Sequence, residues 1–390
     1  MKNSITFFPV DNGDMVLITL GDGATMLTDV NIRKDADDQK NDEVRDVAKD
    51  LRDRLKVDSK GRPYVDVFML SHPDQDHCRG IQTHFYLGDI NDYADDEKEL
   101  SEKKIVIREL WSSPLIFRRA SSLYTLCEDA KALATEARRR VKVNLMHNFR
   151  VDLGNKILIL GSDINGKVDN LGPICIKEGE VIHTICGNES DYFKALLLAP
   201  FEPQGSEDEE VLLAKNQSSI VVNFSFFPDR SKEDEVSFLL GGDAEVYIWE
   251  KLWLKYGARR SCVFECDLLL APHHCSWHSL SYDSWSEKGE NAVVTESAKS
   301  ALTQGKHGAI VVFSSKFIED DANDPPCIRA KKEYKKFYTA YCTGEYPSKN
   351  SVEPLTFTFS KYGIVPPYQR NSAKKIAGMA GASSEPLPHG

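Results

Sequence analysis

The sequence lacks any apolar run approaching the roughly 20 residues that a membrane-spanning helix needs, so no membrane association is expected. Its opening segment, Met-Lys-Asn-Ser-Ile-Thr-Phe-Phe-Pro-Val, has neither the apolar core nor the small-residue cleavage site of an export signal, which makes a cytoplasmic location the expectation. Paired cysteines are missing as well. The nine cysteines (Cys78, Cys127, Cys175, Cys186, Cys262, Cys266, Cys275, Cys327 and Cys342) are odd in number and contain no CxxC, a pattern of reduced thiols rather than of a disulfide framework. Cys262 and Cys266 lie four apart in strand-like sequence and are assigned to packing rather than to zinc. Positive charge is scarce too: a net charge of −11 argues against broad, non-specific affinity for nucleic acid. A nucleic-acid substrate stays open, because bound cations or a local cluster such as Arg138-Arg139-Arg140 can offset that charge. The arginine triplet falls in a helical pattern and reads as a solvated face.

What is present is an ordinary globular composition, 41% hydrophobic and 28% charged, in a chain long enough for one large domain or two ordinary ones. Ile5 to Val10, Met15 to Leu20 and Ala24 to Val30 read as short strands joined by Asp-Asn-Gly and Gly-Asp-Gly turns. Asp42 to Leu55 has helical spacing, Val65 to Leu70 reads as a strand buried on both faces, and Ser121 to Val141 reads as a helix. In the second half, residues 156–160, 194–198, 219–227, 236–240, 267–271 and 310–314 are strand candidates, and 244–256 and 330–341 are helix candidates. Residues 203–216 read as a mobile loop, and the Ala-, Gly-, Ser- and Pro-rich residues 371–390 read as a disordered tail. Strands, a helix, more strands and another helix predict an α/β fold, a four-layer αββα sandwich, over residues 1–370. Insertions are expected near 88–104, which is acidic, and near 152–192. The hairpin turns between the opening strands argue against a doubly wound parallel fold.

The densest chemistry follows Val65 to Leu70. The apolar run stops at Ser71-His72-Pro73-Asp74-Gln75-Asp76-His77, which places two imidazoles and two carboxylates within six positions. Side chains at the end of a strand fan out as the backbone turns, so His72, Asp74, Asp76 and His77 can share one small volume and hold a metal ion.

This motif resembles the HxHxDH signature of the metallo-β-lactamase superfamily, here His72-x-Asp74-x-Asp76-His77. It is most similar to the hydrolase domain of ComEC-like competence proteins and their free-standing relatives. Those carry SHPDxDH, an Asn-x-x-Ser stretch, a Gly-Asp at a strand end and an HHGS. The corresponding residues here are Ser71 to His77, Asn216-Gln217-Ser218-Ser219, Gly242-Asp243 and His273-His274-Cys275-Ser276. The resemblance covers residues 5 to 365. It implies a centre of two divalent metal ions, Zn or Mn, that polarise a scissile group and activate water. The implied ligands are His72, Asp74, Asp76, His77, a bridging Asp243 and His274, with His273 making an outer hydrogen bond. Asp29 is implied to brace the metal loop, and Asp76 and His278 are the implied catalytic residues. His278 completes His274-x-Ser276-x-His278, an arrangement suited to a phosphate oxygen or a leaving group.

The departures from the pattern also carry information. Asp74 replaces an imidazole, which makes the site harder and favours Mn as a rival to Zn. Ala199-Pro200 stands where many relatives have a histidine, leaving one metal short of a nitrogen ligand. Asp324-Pro325-Pro326 replaces a Gly-His-Pro, and Cys275 replaces a glycine. Asp163, His183 and Glu189 are read as surface groups. The resemblance implies a metal-dependent phosphodiesterase, acting on a nucleic-acid or nucleotide substrate in nucleic-acid turnover or phage defence, with room for an operon-encoded protein partner. The alternatives are hydrolysis of an ester, thioester or lactam, since one fold hosts many reactions, and a non-catalytic, metal-stabilised sensor or partner-binding subunit.

Overall fold

The computed structural model describes residues 3–37, 44–117, 126–162, 168–202, 216–230 and 234–367. Residues 203–215 of the loop expected over 203–216, the tail from 371 and the candidate Asp163 lie outside those residues.

Two mixed sheets form the body of this α/β protein. An 11-stranded sheet runs in the order Cys175–Ile176, Lys156–Leu160, Ile105–Ser112, Pro63–Leu70, Thr25–Thr28, Val16–Thr19, Ser4–Phe7, Leu355–Ser360 and Gly363–Val365. Two short strands, Lys56–Val57 and Phe85–Tyr86, pair alongside it. A 7-stranded sheet runs Val181–Ile182, Phe193–Ala199, Val221–Phe226, Val236–Leu240, Cys266–Leu270, Gly305–Phe313 and Thr339–Cys342. Each sheet is antiparallel in one part and parallel in the other.

The period of two along the second sheet sorts its apolar residues onto two faces. Phe238, Leu240, Leu268, Leu270, Ile310 and Val312 belong to one core cluster, while their neighbours Leu239, Leu269, Val311 and Phe313 belong to another. The first face meets the larger sheet. Phe7 lies edge-on to both Phe238 (5.8 Å between centroids) and Phe357 (5.9 Å), and Phe226 stands 5.1 Å from Phe359. The second face is covered by the helices Val246–Leu252, Glu296–Leu302 and Ile328–Tyr334 through Ile248, Trp249, Ala298, Ala301, Ala330 and Tyr334. The helices Val47–Arg52 and Glu128–Met146 bury Val47, Leu51, Leu133 and Ala137 in the cluster shared with the first sheet. Among the described residues, no helix is long and apolar enough to cross a membrane.

Several expected boundaries shift. The helix expected over 330–341 ends at Tyr334, because Thr339–Cys342 pairs in parallel with Ile310–Phe313. The helix expected over 244–256 tightens into Val246–Leu252 and continues as a π-helical turn, Trp253–Gly257. The strands Ile105–Ser112 and Leu355–Ser360 were not among the expected elements. Arg140 is not solvated: it is buried, donating to Glu136 Oε1 (2.7 Å) and to the carbonyls of Lys156 and Ile107 (2.9 Å each). It therefore ties its helix to two strands. In the acidic segment 88–104, Asp95 is buried and accepts from the Lys104 amide at 3.2 Å.

Phe7 is buried at the junction of the two sheets, so truncating it leaves a cavity that neither sheet can close. Phe7→Ala is expected to cost about 3–5 kcal/mol, read as a lower urea midpoint at unchanged slope.

Candidate metal centre

The polar residues gather where strands of both sheets end. Parallel strands leave a crevice beyond their carboxyl ends, where chain reversals expose backbone and side chains. Pro63–Leu70 delivers Ser71 to His77, Thr25–Thr28 delivers Asp29, Val236–Leu240 delivers Asp243, and Cys266–Leu270 delivers His273 and His274.

Asp29 holds the first loop. Its backbone is left-handed (φ 54°), and its carboxylate accepts from the Ser71 amide (2.7 Å), the Ser71 hydroxyl (2.6 Å) and His77 Nδ1 (2.8 Å). Because a carboxylate only accepts, His77 carries a proton on Nδ1, which turns its Nε2 inward toward Asp243. The two sheets interlock at this point. The Ile220 amide donates to the Ser71 carbonyl (3.0 Å), and the Asp243 amide donates to Ser219 Oγ (3.1 Å). Gly242 must be glycine, since its φ is 49° and a Cβ there would sit 3.0 Å from Ser71 Cβ and 3.2 Å from Ser219 Cβ.

His273, His274 and Cys275 are three consecutive left-handed residues, with φ of 50°, 53° and 69°. Each costs roughly 1–2 kcal/mol relative to an ordinary helix conformation, and such strain concentrates at functional sites. Its result is that both imidazoles reach the same carboxylate.

That carboxylate is Asp243, whose side chain is 4% exposed. His77 Nε2 lies 3.1 Å from its Oδ1 and His274 Nε2 3.5 Å from the same atom; His72 Nε2 lies 3.6 Å from Oδ2 and His273 Nε2 3.7 Å. Asp76 Oδ2 is 3.2 Å from His274 Nε2, and Asp74 Oδ2 is 3.8 Å from His72 Nε2. Donors placed about 2.1 Å from a shared tetrahedral ion stand about 3.4 Å from one another, so this spacing fits a metal cage. The buried atoms His72 Nε2, His77 Nε2 and Asp243 Oδ1 have no hydrogen-bond partner, as ligand atoms awaiting an ion would not.

Asp14, His77, Asp243 and His274 form a buried group whose donor atoms all lie within 4.8 Å, and it can hold a metal ion. Asp14 was not an expected site residue. Its carboxylate faces the Nδ1 edges of the rings, 3.5 Å from His274 and 4.0 Å from His77. It therefore faces those rings as an ion-pair neighbour, without the hydrogen bond that Asp29 makes, and their Nε2 edges are turned away from it. The Asp14 amide donates to the Asp76 carbonyl (3.3 Å), fixing it to the loop. Its only signal in the sequence was a polar turn, Asp11 to Asp14. His278 is placed apart from this group: its side chain is 41% exposed, and Nε2 faces Asp324 Oδ2 at 3.9 Å. His183 and Glu189 are exposed. Among the cysteines, Cys262 is exposed and Cys275 is buried.

Electrostatics agree with a cation-binding cavity. Burial pushes the Asp243 carboxyl up, but the surrounding rings of His77, His274, His273 and His72 outweigh it and hold it well below the usual range. Burial also opposes ionisation of Asp76, and His77 with His274 again reverses the balance. Burial works against a charged His77, yet Asp243, Asp29 and Asp76 raise its pKa well above normal. For His274 burial is outweighed by Asp243, Asp14 and Asp76, and the pKa rises from 6.5 to about 10. His72 moves down, through burial and then the charge on His77. In the metal-free chain, protons occupy the place that a cation would take.

Two outcomes follow. Protonated His274 stabilises the metal-free fold fully below pH 6.5, and that contribution drains away as pH rises through about 10. The melting temperature of the chelated chain should therefore fall across that window, whereas saturating metal should flatten the curve. Metal uptake near pH 7 should release protons, seen as a binding heat that depends on the buffer's ionisation enthalpy. Asp29→Ala should weaken metal binding by about 10–100-fold, measured by competitive chelation, while His274→Ala should weaken it further. No protein-family model and no curated protein matches the chain, so the geometry of this cluster carries the functional reading.

Proposed function

We infer that this protein is a metal-dependent hydrolase of phosphodiesters, with a nucleic acid or a nucleotide as substrate. We also read its two facing sheets and flanking helices as a four-layer αββα sandwich of the metallo-β-lactamase kind. The observation that carries the reading is the convergence of imidazole Nε2 atoms on buried Asp243, with Asp74 and Asp76 adding carboxylates at the rim. A mixed donor set rich in oxygen is hard enough for Mn as well as Zn. It also suits an anionic phosphoryl group, which needs its charge neutralised before a nucleophile can approach.

When bound, divalent ions in this cage supply Lewis-acid polarisation of the phosphoryl oxygens and activation of a water. The chain's own groups position the rest. Asp29 fixes the ring of His77 by accepting from Nδ1, and Asp14 places its carboxylate beside the Nδ1 edge of His274, so that each Nε2 faces inward. Asp76, one-third exposed, stands at the opening of the cavity, where its carboxylate orients the attacking water. His278, held beside Asp324, is exposed and able to hand a proton to the departing oxygen. Asp324 is itself anchored by the Trp277 amide at 3.0 Å.

The test is hydrolysis of bis-p-nitrophenyl phosphate and single-stranded DNA with Mn or Zn, with a lactam as the contrasting substrate. Phosphodiester cleavage should require metal and should fall by more than about a hundredfold in Asp76→Ala, beyond what outer partners of metal ligands cost. Retained activity in that variant would overturn the mechanism. His278→Ala should lower kcat by about 10²-fold or more with a smaller change in KM, as expected for loss of a proton donor.

A further inference from the structure

Asp243 divides its neighbours evenly. His77 and His274 face Oδ1, whereas His72 and His273 face Oδ2, at 3.6 and 3.7 Å. Each side also has one further carboxylate: Asp76 stands 3.2 Å from His274, and Asp74 stands 3.8 Å from His72. The two halves therefore have the same composition, two imidazole nitrogens, one aspartate of their own and one oxygen of Asp243. We propose that His273 is a metal ligand, completing with His72, Asp74 and Asp243 Oδ2 a second four-donor pocket beside that of His77, Asp76, His274 and Asp243 Oδ1. The proposal rests on the metal-dependent reading above and deepens it by assigning the nitrogen donor that Ala199 cannot supply.

Three independent features of His273 support a ligand rather than a surface group. Its backbone is held left-handed at φ 50°, a strained state of the kind that concentrates at functional sites. Its amide donates to the Gly242 carbonyl at 3.0 Å, which ties it to the residue before Asp243. Its outer edge faces a carboxylate, with Nδ1 lying 3.6 Å from Glu245 Oε1. Glu245 is fixed in turn by Asn216 (3.0 Å) and Gln217 (2.8 Å). A carboxylate on the outer edge of a ring, itself oriented by hydrogen bonds, is the usual support of a metal-bound histidine. Glu245 thus faces the outer edge of His273 as an ion-pair neighbour at 3.6 Å, a looser contact than the 2.8 Å hydrogen bond from His77 to Asp29.

The halves differ in access. His77 and His274 are fully buried, whereas the Oδ2 half carries His273 and a 44% exposed Asp74. The pocket of His273 would therefore be the more open of the two, although Asp76, 34% exposed, also opens the His274 side.

The experiment is metal content by equilibrium dialysis against Mn, with electron paramagnetic resonance, on the full chain and on His273→Gln and His274→Gln. The full chain should bind two ions with a spin-coupled signal. His273→Gln should retain one ion with an uncoupled spectrum and lose at least about tenfold in affinity for the second. Two coupled ions at unchanged affinity in His273→Gln would overturn the assignment and leave the metal-dependent reading standing. A full chain that takes up no ion would overturn both. Nitrogen-15 spectra of histidine-labelled full chain titrated with Zn need no variant: a metal shift of the His273 Nε2 resonance supports the assignment, and its absence while His72, His77 and His274 shift refutes it.

Discussion

A carboxylate taken out of water carries a desolvation penalty of several kcal/mol unless charge and hydrogen bonds compensate it. Asp243 is such a group, and the local structure is arranged around its compensation. Its amide is held by Ser219, the residue before it must be glycine to clear Ser71 and Ser219, and four imidazoles from two chain segments turn toward its oxygens. Removing one ring would leave the others facing an undercompensated charge. The positions of His72, His77, His273 and His274 are therefore coupled to one another through a single side chain.

The two sheets make this arrangement rigid. Their contact through Phe7, Phe226, Phe238, Phe357 and Phe359 fixes the distance between strand ends that belong to opposite sheets. The Ser71 carbonyl then accepts from Ile220, so the loop bearing His72 to His77 is bonded across the crevice to the start of Val221–Phe226, the strand that pairs with the one delivering Asp243. The cost of the left-handed run at His273, His274 and Cys275 is borne by this frame. Cys275 is buried there, and its carbonyl accepts from the Cys327 amide at 3.0 Å, which anchors the turn from behind.

The sequence disclosed some elements and hid others for identifiable reasons. Val236–Leu240 and Pro63–Leu70 are nearly continuous apolar runs, the signature of strands buried on both faces. Ile105–Ser112 is broken by Arg108 and Glu109, whose charges make sense only with their partners: Arg108 pairs with Asp66 at 2.8 Å and stacks on Tyr64, and Glu109 accepts from the Cys186 amide at 2.7 Å. Leu355–Ser360 shows a clean alternation, yet its place beside Ser4–Phe7 joins opposite ends of the chain, which no local pattern reports. Arg140 looked like part of a basic surface because the residues that bury it come from strands on either side in sequence.

The sequence by itself determined the donor chemistry: an apolar run ending in Ser71 to His77, a Gly-Asp at a strand end and a pair of adjacent histidines restrict this crevice to imidazole and carboxylate. Only the tertiary structure decided which edge of each ring faces inward. For His77 that choice is made by Asp29, which accepts from its Nδ1, while Asp14 and Glu245 place carboxylates 3.5 and 3.6 Å from the Nδ1 edges of His274 and His273. It also decided that His72 and His273, which follow strands of different sheets, share one oxygen of Asp243, and that Asp14 faces the rings from a turn with no motif of its own. Spacing along a chain fixes which groups are near one another, whereas the direction in which a ring nitrogen points is set by hydrogen-bond partners that only folding brings together.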